Sequence, residues 1–175
     1  SILDGFTITG GNANESPHRN GGGFYNQCGT VQIIKYTFSG NSAQNFGGGI
    51  YNYSGNAILV NCTLTGNSAV DYGGGIYNYQ SNSNMDNCTI SKNLAQYGGG
   101  GIYNDESSPS LTDCTFSENS ARYGGGMINF DSGPTLTNCA FYRNSAVDYG
   151  GGIYNINSVL IVRNCIFTGN EARMY

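Results

Sequence analysis

The chain has 175 residues, of which 28 are Gly and only 10% are charged, with a formal net charge of −4 at neutral pH. Low charge and abundant Gly can accompany disorder, but 38% hydrophobic residues and 14 Tyr argue against it, because disordered segments are poor in aromatics and rich in net charge. The acidic balance leaves no electrostatic footprint for nucleic acid, and no run of about 18 apolar residues is present to form a membrane-spanning helix.

The first element is a short unit, residues 1–14, containing Leu3-Asp4-Gly5-Phe6-Thr7-Ile8-Thr9-Gly10-Gly11-Asn12. It reads as a degenerate half-coil, and Glu15 to Asn20 as an insertion loop after it. The chain opens inside the pattern, without a charged-then-apolar leader, so a mature product or a fragment of something longer is expected.

From residue 21 to 175 one unit of about 26 residues recurs six times. A Gly triplet ends on an apolar residue at Phe24, Ile50, Ile76, Ile102, Met127 and Ile153. Two residues later comes Asn26, Asn52, Asn78, Asn104, Asn129 and Asn155. Further along the unit lies Cys62, Cys88, Cys114, Cys139 and Cys165, with Tyr36 as the first member of that column. Two residues on are Phe38, Leu64, Ile90, Phe116, Phe141 and Phe167. Then come Asn41, Asn67, Asn93, Asn119, Asn144 and Asn170, followed by an Ala column from Ala43 to Ala172.

Such a period signals a solenoid. Gly, Asn, Ser, Thr and Tyr favour turns and strands over helices. The alternation Ile76-Tyr77-Asn78-Tyr79 puts Ile and Asn on one face and Tyr on the other. Before each Cys, the apolar spacing of three and then two residues requires a one-residue corner at Lys35, Asn61, Asn87, Asp113, Asn138 and Asn164. Asn and Asp tolerate the left-handed conformation that such a corner needs. The expected fold is therefore all-β: a single-stranded, right-handed parallel β-helix forming one domain over 1–175. Stacked coils about 4.8 Å apart give roughly six and a half coils and a rod of roughly 30 Å. Both inward Asn columns become amide ladders, each side chain donating to the next.

The unit Cys114-Thr115-Phe116-Ser117-Glu118-Asn119-Ser120-Ala121, followed by Gly124-Gly125-Gly126-Met127, resembles the repeats of polymorphic outer-membrane proteins and related bacterial surface proteins. Their Phe-x-x-Asn element recurs here at Phe38, Phe116, Phe141 and Phe167, whereas the third residue of their Gly motif is Gly rather than Ala. The opening Leu3-to-Gly11 segment looks like the start of secreted β-helix proteins of the pectate-lyase-like superfamily. The resemblance implies a bacterial, extracellular or cell-surface setting. It implies no particular activity, because one fold hosts many.

The residues offer several chemistries. The stacked Cys column reads as reduced packing, as disulfides or as a metal site, with reduced packing leading because identical stacked side chains point the same way. Cys28 falls outside the column. The outward aromatics Tyr25, Tyr51, Tyr53, Tyr77, Tyr79, Tyr103, Phe130 and Tyr154 form a candidate binding face for glycan or for another copy of the chain. Further aromatics, Phe46, Tyr72, Tyr97, Tyr123 and Tyr149, precede the Gly triplets, and Tyr175 falls in line with them. The same Tyr pattern also suits exposed strands without any ligand. An outward Thr stripe, broken by Ala140, Tyr142 and Ile166, admits ice binding as a minor alternative. Catalysis would need converging acids. Asp71, Asp148, Asp105, Glu106 and Asp131 are the candidates, none with an evident basic partner in the sequence, and the single His18 lies beside Arg19 in the insertion. The expectation is a non-enzymatic structural or adhesive rod that self-associates end to end or through the Tyr face, or joins flanking domains. A polysaccharide-binding or polysaccharide-cleaving β-helix is the alternative. No cofactor and no metal are expected.

Overall fold

The computed structural model describes residues 2–15 and 17–173, so the expected aromatic Tyr175 lies outside the described residues. A representative coil shows the design. Strand Ile50–Tyr53 is followed by Asn56–Val60, Thr63–Thr65 and Ser68–Ala69, and the next coil begins at Ile76. Between these strands the chain turns on single residues with positive φ: Ser54 (50°), Asn61 (55°), Gly66 (64°) and Gly73 (69°). The coil therefore has four sides and four left-handed corners, where the sequence reading expected one.

The expected corner is present throughout: Lys35, Asn61, Asn87, Asp113, Asn138 and Asn164 have φ between 49° and 57°. The other three differ in chemistry. One uses Gly40, Gly66 and Gly169, but also Lys92, Glu118 and Arg143. Another uses Cys28, Ser54, Gln80, Glu106, Asp131 and Asn157, which gives Cys28 a place as the first corner of its column. The remaining corner is Gly alone, from Gly21 to Gly150, at the start of the Gly triplets. The triplets thus form a corner and its exit. Here the coils approach closely: a Cβ on Gly48 would run into the carbonyl oxygens of Ser68 and Gly74.

Like sides stack into four parallel sheets of seven, seven, seven and six strands. Register follows the repeat, with Ile50 beside Ile76, Leu64 beside Ile90 and Ser68 beside Leu94. The first coil supplies Ile2–Asp4, Thr7–Thr9 and Asn12–Ala13. The insertion lengthens the connection from Asn12–Ala13 to the fourth side, Phe24–Gln27. The described strands begin in the first sheet and finish in the third with Glu171–Ala172, so the fourth sheet has one strand fewer.

The apolar columns fill the interior. Phe38, Leu64, Ile90, Phe116 and Phe141 are fully buried, as are Ile33, Leu59, Leu111 and Leu136. Phe116 and Phe141 stack with centroids 4.3 Å apart and planes 2° from parallel. Burial of each large side chain contributes about 1.5–3 kcal/mol, and much of that burial comes from the coils above and below.

Both amide ladders form, each running in one direction. Nδ2 of Asn52, Asn78 and Asn104 donates to Oδ1 of the next coil's Asn at 2.9, 2.9 and 2.8 Å. Nδ2 of Asn41, Asn67, Asn93, Asn119 and Asn144 does the same at 2.9–3.0 Å. The second ladder is more heavily tied. Nδ2 of Asn93 also donates to the Leu64 carbonyl, and its Oδ1 accepts from the backbone N–H of Asn67. Among the described residues no buried side-chain polar atom lacks a partner.

A third polar column is absent from the sequence reading. The backbone N–H groups of Ser81, Ser107 and Ser132 donate to the hydroxyls of Ser107, Ser132 and Ser158, each at 2.9 Å. The hydroxyls of Ser107, Ser132 and Ser158 donate to the carbonyls of Asp105, Phe130 and Ile156. The column begins at Gly29 and Gly55, which carry no hydroxyl, so only its later members reveal it.

Candidate binding face

The fourth sheet carries the aromatics. Its strands alternate, so Ile76 and Asn78 face the interior while Tyr77 and Tyr79 stand outside. In-register stacking aligns the rings. Tyr25–Tyr51, Tyr51–Tyr77 and Tyr77–Tyr103 have centroids 5.1, 5.5 and 5.1 Å apart, and the last pair is 8° from parallel. Tyr53 and Tyr79 form a second stack at 5.4 Å.

The face is not uniformly open. Phe46, from the residue before a Gly triplet, lies 4.7 Å from the Tyr77 ring, and Tyr72 lies 4.7 Å from Tyr103. These rings fold over the sheet, leaving Tyr51 and Tyr77 only 6% exposed, against 44% for Tyr25. Tyr53, Tyr79, Tyr103, Phe130 and Tyr154 are half-buried. The covering aromatics are therefore part of the site as much as the strand tyrosines are. Their position before each Gly triplet is the signal that marks them in the sequence.

The wall of rings breaks once. Phe46, Tyr72 and Tyr123 share a bridging position, but Gly98 stands between Tyr72 and Tyr123, with Tyr97 displaced by one residue. One coil on, Ile128 replaces the strand tyrosine. The Ile128 side chain leans into the space over Gly98. A cleft of about 380 Å³ results, walled chiefly by Tyr72, Tyr103, Tyr123, Phe130, Tyr149 and Tyr154.

Carboxylates rim the face. Asp105 takes the place of Tyr53 and Tyr79 in its column, and its Oδ2 accepts a 2.7 Å hydrogen bond from the Tyr77 hydroxyl. Burial raises the Asp105 carboxyl above its ordinary range; the Tyr77 contact opposes this, while Glu106 and Asp131 add to it. Burial, helped by neighbouring tyrosines, pushes the Tyr51 phenol up to about 12. Burial and then Asp105 raise Tyr77 and Tyr103 as well. Asp148, without a basic partner in the sequence reading, pairs with Arg122 at 2.8 Å, which holds its carboxyl below the usual range.

The Cys column lies apart, in the core. Cys62, Cys88, Cys114, Cys139 and Cys165 are free thiols, and Cys28 is a free, exposed one. The thiols of Cys62 and Cys88 contact backbone carbonyls, Ile33 and Val60 for the first, Leu59 and Asp86 for the second. Neighbouring thiols, and then burial, push Cys62 and Cys114 well above the ordinary thiol range. Among the described residues no group of three or more His, Cys, Asp or Glu is placed to hold a metal ion.

Comparison with known proteins gives one family. The family model described as a right handed beta helix region matches residues 4–158. No match was found among curated proteins or solved structures.

Proposed function

The chain belongs to the right-handed β-helix family, and on that premise we propose that it acts without catalysis, as a rigid extracellular rod of a bacterial surface or matrix protein. The observation that carries this reading is the parallel register of four sheets, which stacks corresponding positions coil upon coil with a single shift between Ala121 and Tyr123. A solenoid of this kind resists bending because each coil is bonded to the next on all four sides.

The rod is proposed to associate with further copies, end to end or through the aromatic face. Val162 and Phe167 succeed the buried Leu136 and Phe141 in their columns and are 43% and 46% exposed, an apolar surface on which another copy can stack. Light scattering across concentrations, with electron microscopy of the particles, tests the idea. End-on assembly gives rods in multiples of one length, and Phe167→Lys with Val162→Lys abolishes them. Assembly through the aromatic face survives those changes and is lost in Tyr25→Ser with Tyr53→Ser. A species that stays monomeric at every concentration and adheres to no bacterial surface rules the reading out.

A second reading, polysaccharide binding, is favoured by the cleft beside Ile128, which is walled by aromatic rings. Tyrosine offers an apolar ring with a polar tip, which suits a sugar. Titration with neutral and acidic polysaccharides is the measurement. Binding lost in Tyr149→Ala and Tyr123→Ala supports it, and no binding with no cleavage removes it.

A further inference from the structure

We propose that the stacked tyrosines form a one-electron oxidation site, in which an oxidised state entering at an exposed ring comes to rest on Tyr77 with its proton on Asp105. Six rings make a continuous path. Centroids are 5.1 Å apart for Tyr25–Tyr51, 5.5 Å for Tyr51–Tyr77 and 5.1 Å for Tyr77–Tyr103. The path continues at 4.7 Å from Tyr103 to Tyr72 and 6.0 Å from Tyr72 to Tyr97. Its ends are open, Tyr25 at 44% and Tyr97 at 45% exposure, while Tyr77 is 6% exposed. The chain has no Trp, so tyrosine is its most readily oxidised aromatic.

A phenol that loses an electron becomes a strong acid and needs a base within hydrogen-bond reach. Of these six phenols, Tyr77 alone has a carboxylate there, Asp105 Oδ2 at 2.7 Å. Burial and the Asp105 contact keep the Tyr77 phenol protonated, so electron loss must be accompanied by proton transfer. Glu106 and Asp131 beside Asp105 favour its taking a proton.

A one-electron oxidant, such as a ruthenium(III) polypyridyl complex, takes an electron at Tyr25 or Tyr97 and becomes ruthenium(II). An electron from Tyr77 refills that ring through the stack. The Tyr77 O–H bond breaks, its proton forms an O–H bond on Asp105, and Tyr77 is left as a neutral phenoxyl radical. Its burial shields the radical from coupling with a ring of another copy.

The test is flash oxidation of the whole chain with photogenerated ruthenium(III), followed by electron paramagnetic resonance. The exposed thiol of Cys28 is a competing donor and is removed as Cys28→Ser. Ser54 holds the same corner one coil on, so the change fits the backbone. The expected result is a tyrosyl signal coupled to one exchangeable proton. It is lost in Tyr77→Phe and in Asp105→Asn, whose amide accepts a hydrogen bond but no proton. A signal without that coupling, or one unchanged in Asp105→Asn, overturns the proposal. If circular dichroism shows Tyr77→Phe unfolded, the proton coupling in the parent and the Asp105→Asn result decide the question.

Discussion

At the residue scale, stability rests on single positions repeated in columns. Asn93 illustrates the amide ladder: its Nδ2 serves both Asn119 and the Leu64 carbonyl, and its Oδ1 serves both the backbone and the side chain of Asn67. Asn93→Ala strands several buried groups at once, and each unsatisfied group costs about 1–3 kcal/mol. A fall in the urea midpoint equivalent to at least about 2 kcal/mol is expected, with an unchanged slope. The corners behave differently. Asn87 sits at φ 49°. Asn87→Gly should be close to neutral, whereas Asn87→Val should cost about 1–2 kcal/mol because a β-branched residue disfavours that region. Thermal melts of the two variants give the comparison, and equal melting temperatures would contradict the left-handed corner.

At the element scale, the fourth sheet carries a pH signature. The Tyr51 phenol is raised from 10.0 to about 12, and burial raises Tyr77 and Tyr103 as well. Between the unfolded and folded values the folded chain binds more protons than the unfolded one. Stability is therefore fully present below about pH 10 and is lost as pH rises towards 12. Alkaline unfolding followed by circular dichroism, with phenolate absorbance recorded in parallel, should show buried phenols ionising together with unfolding. Independent ionisation of every tyrosine near pH 10 would contradict the burial of the stack. The sheet also shows why local pattern was insufficient. Alternation places Tyr51 and Tyr77 outside, but their burial comes from Phe46, which reaches the face only across a corner.

At the scale of the whole molecule, contacts are almost all between neighbouring coils, so the rod is divisible by coils. Deleting Ile76 to Gly101 joins Gly75 to Ile102 in the same context that Gly101 has now, and restores every column. The shortened chain should keep its β-sheet spectrum and lose urea slope in proportion to the surface removed. Deleting 76–88, about half a coil, should abolish folding, because inward and outward residues exchange places. Both results follow from circular dichroism and urea titration.

The sequence by itself determined the period, the inward apolar, Ala, Cys and Asn columns and the corner before each Cys. All of these depend on side-chain type at a fixed spacing, and the repetition makes that type visible. The tertiary structure decided the rest. Lys92, Glu118 and Arg143 carry no composition signal for a left-handed bend, and adopt it because stacked strands on either side hold the corner. The Ser ladder emerges only where hydroxyls meet backbone N–H groups of the adjacent coil. The candidate face changed most. A column of outward tyrosines became a half-covered stack with a cleft and the Tyr77–Asp105 phenol–carboxylate pair, because residues far apart along the coil meet over its corner.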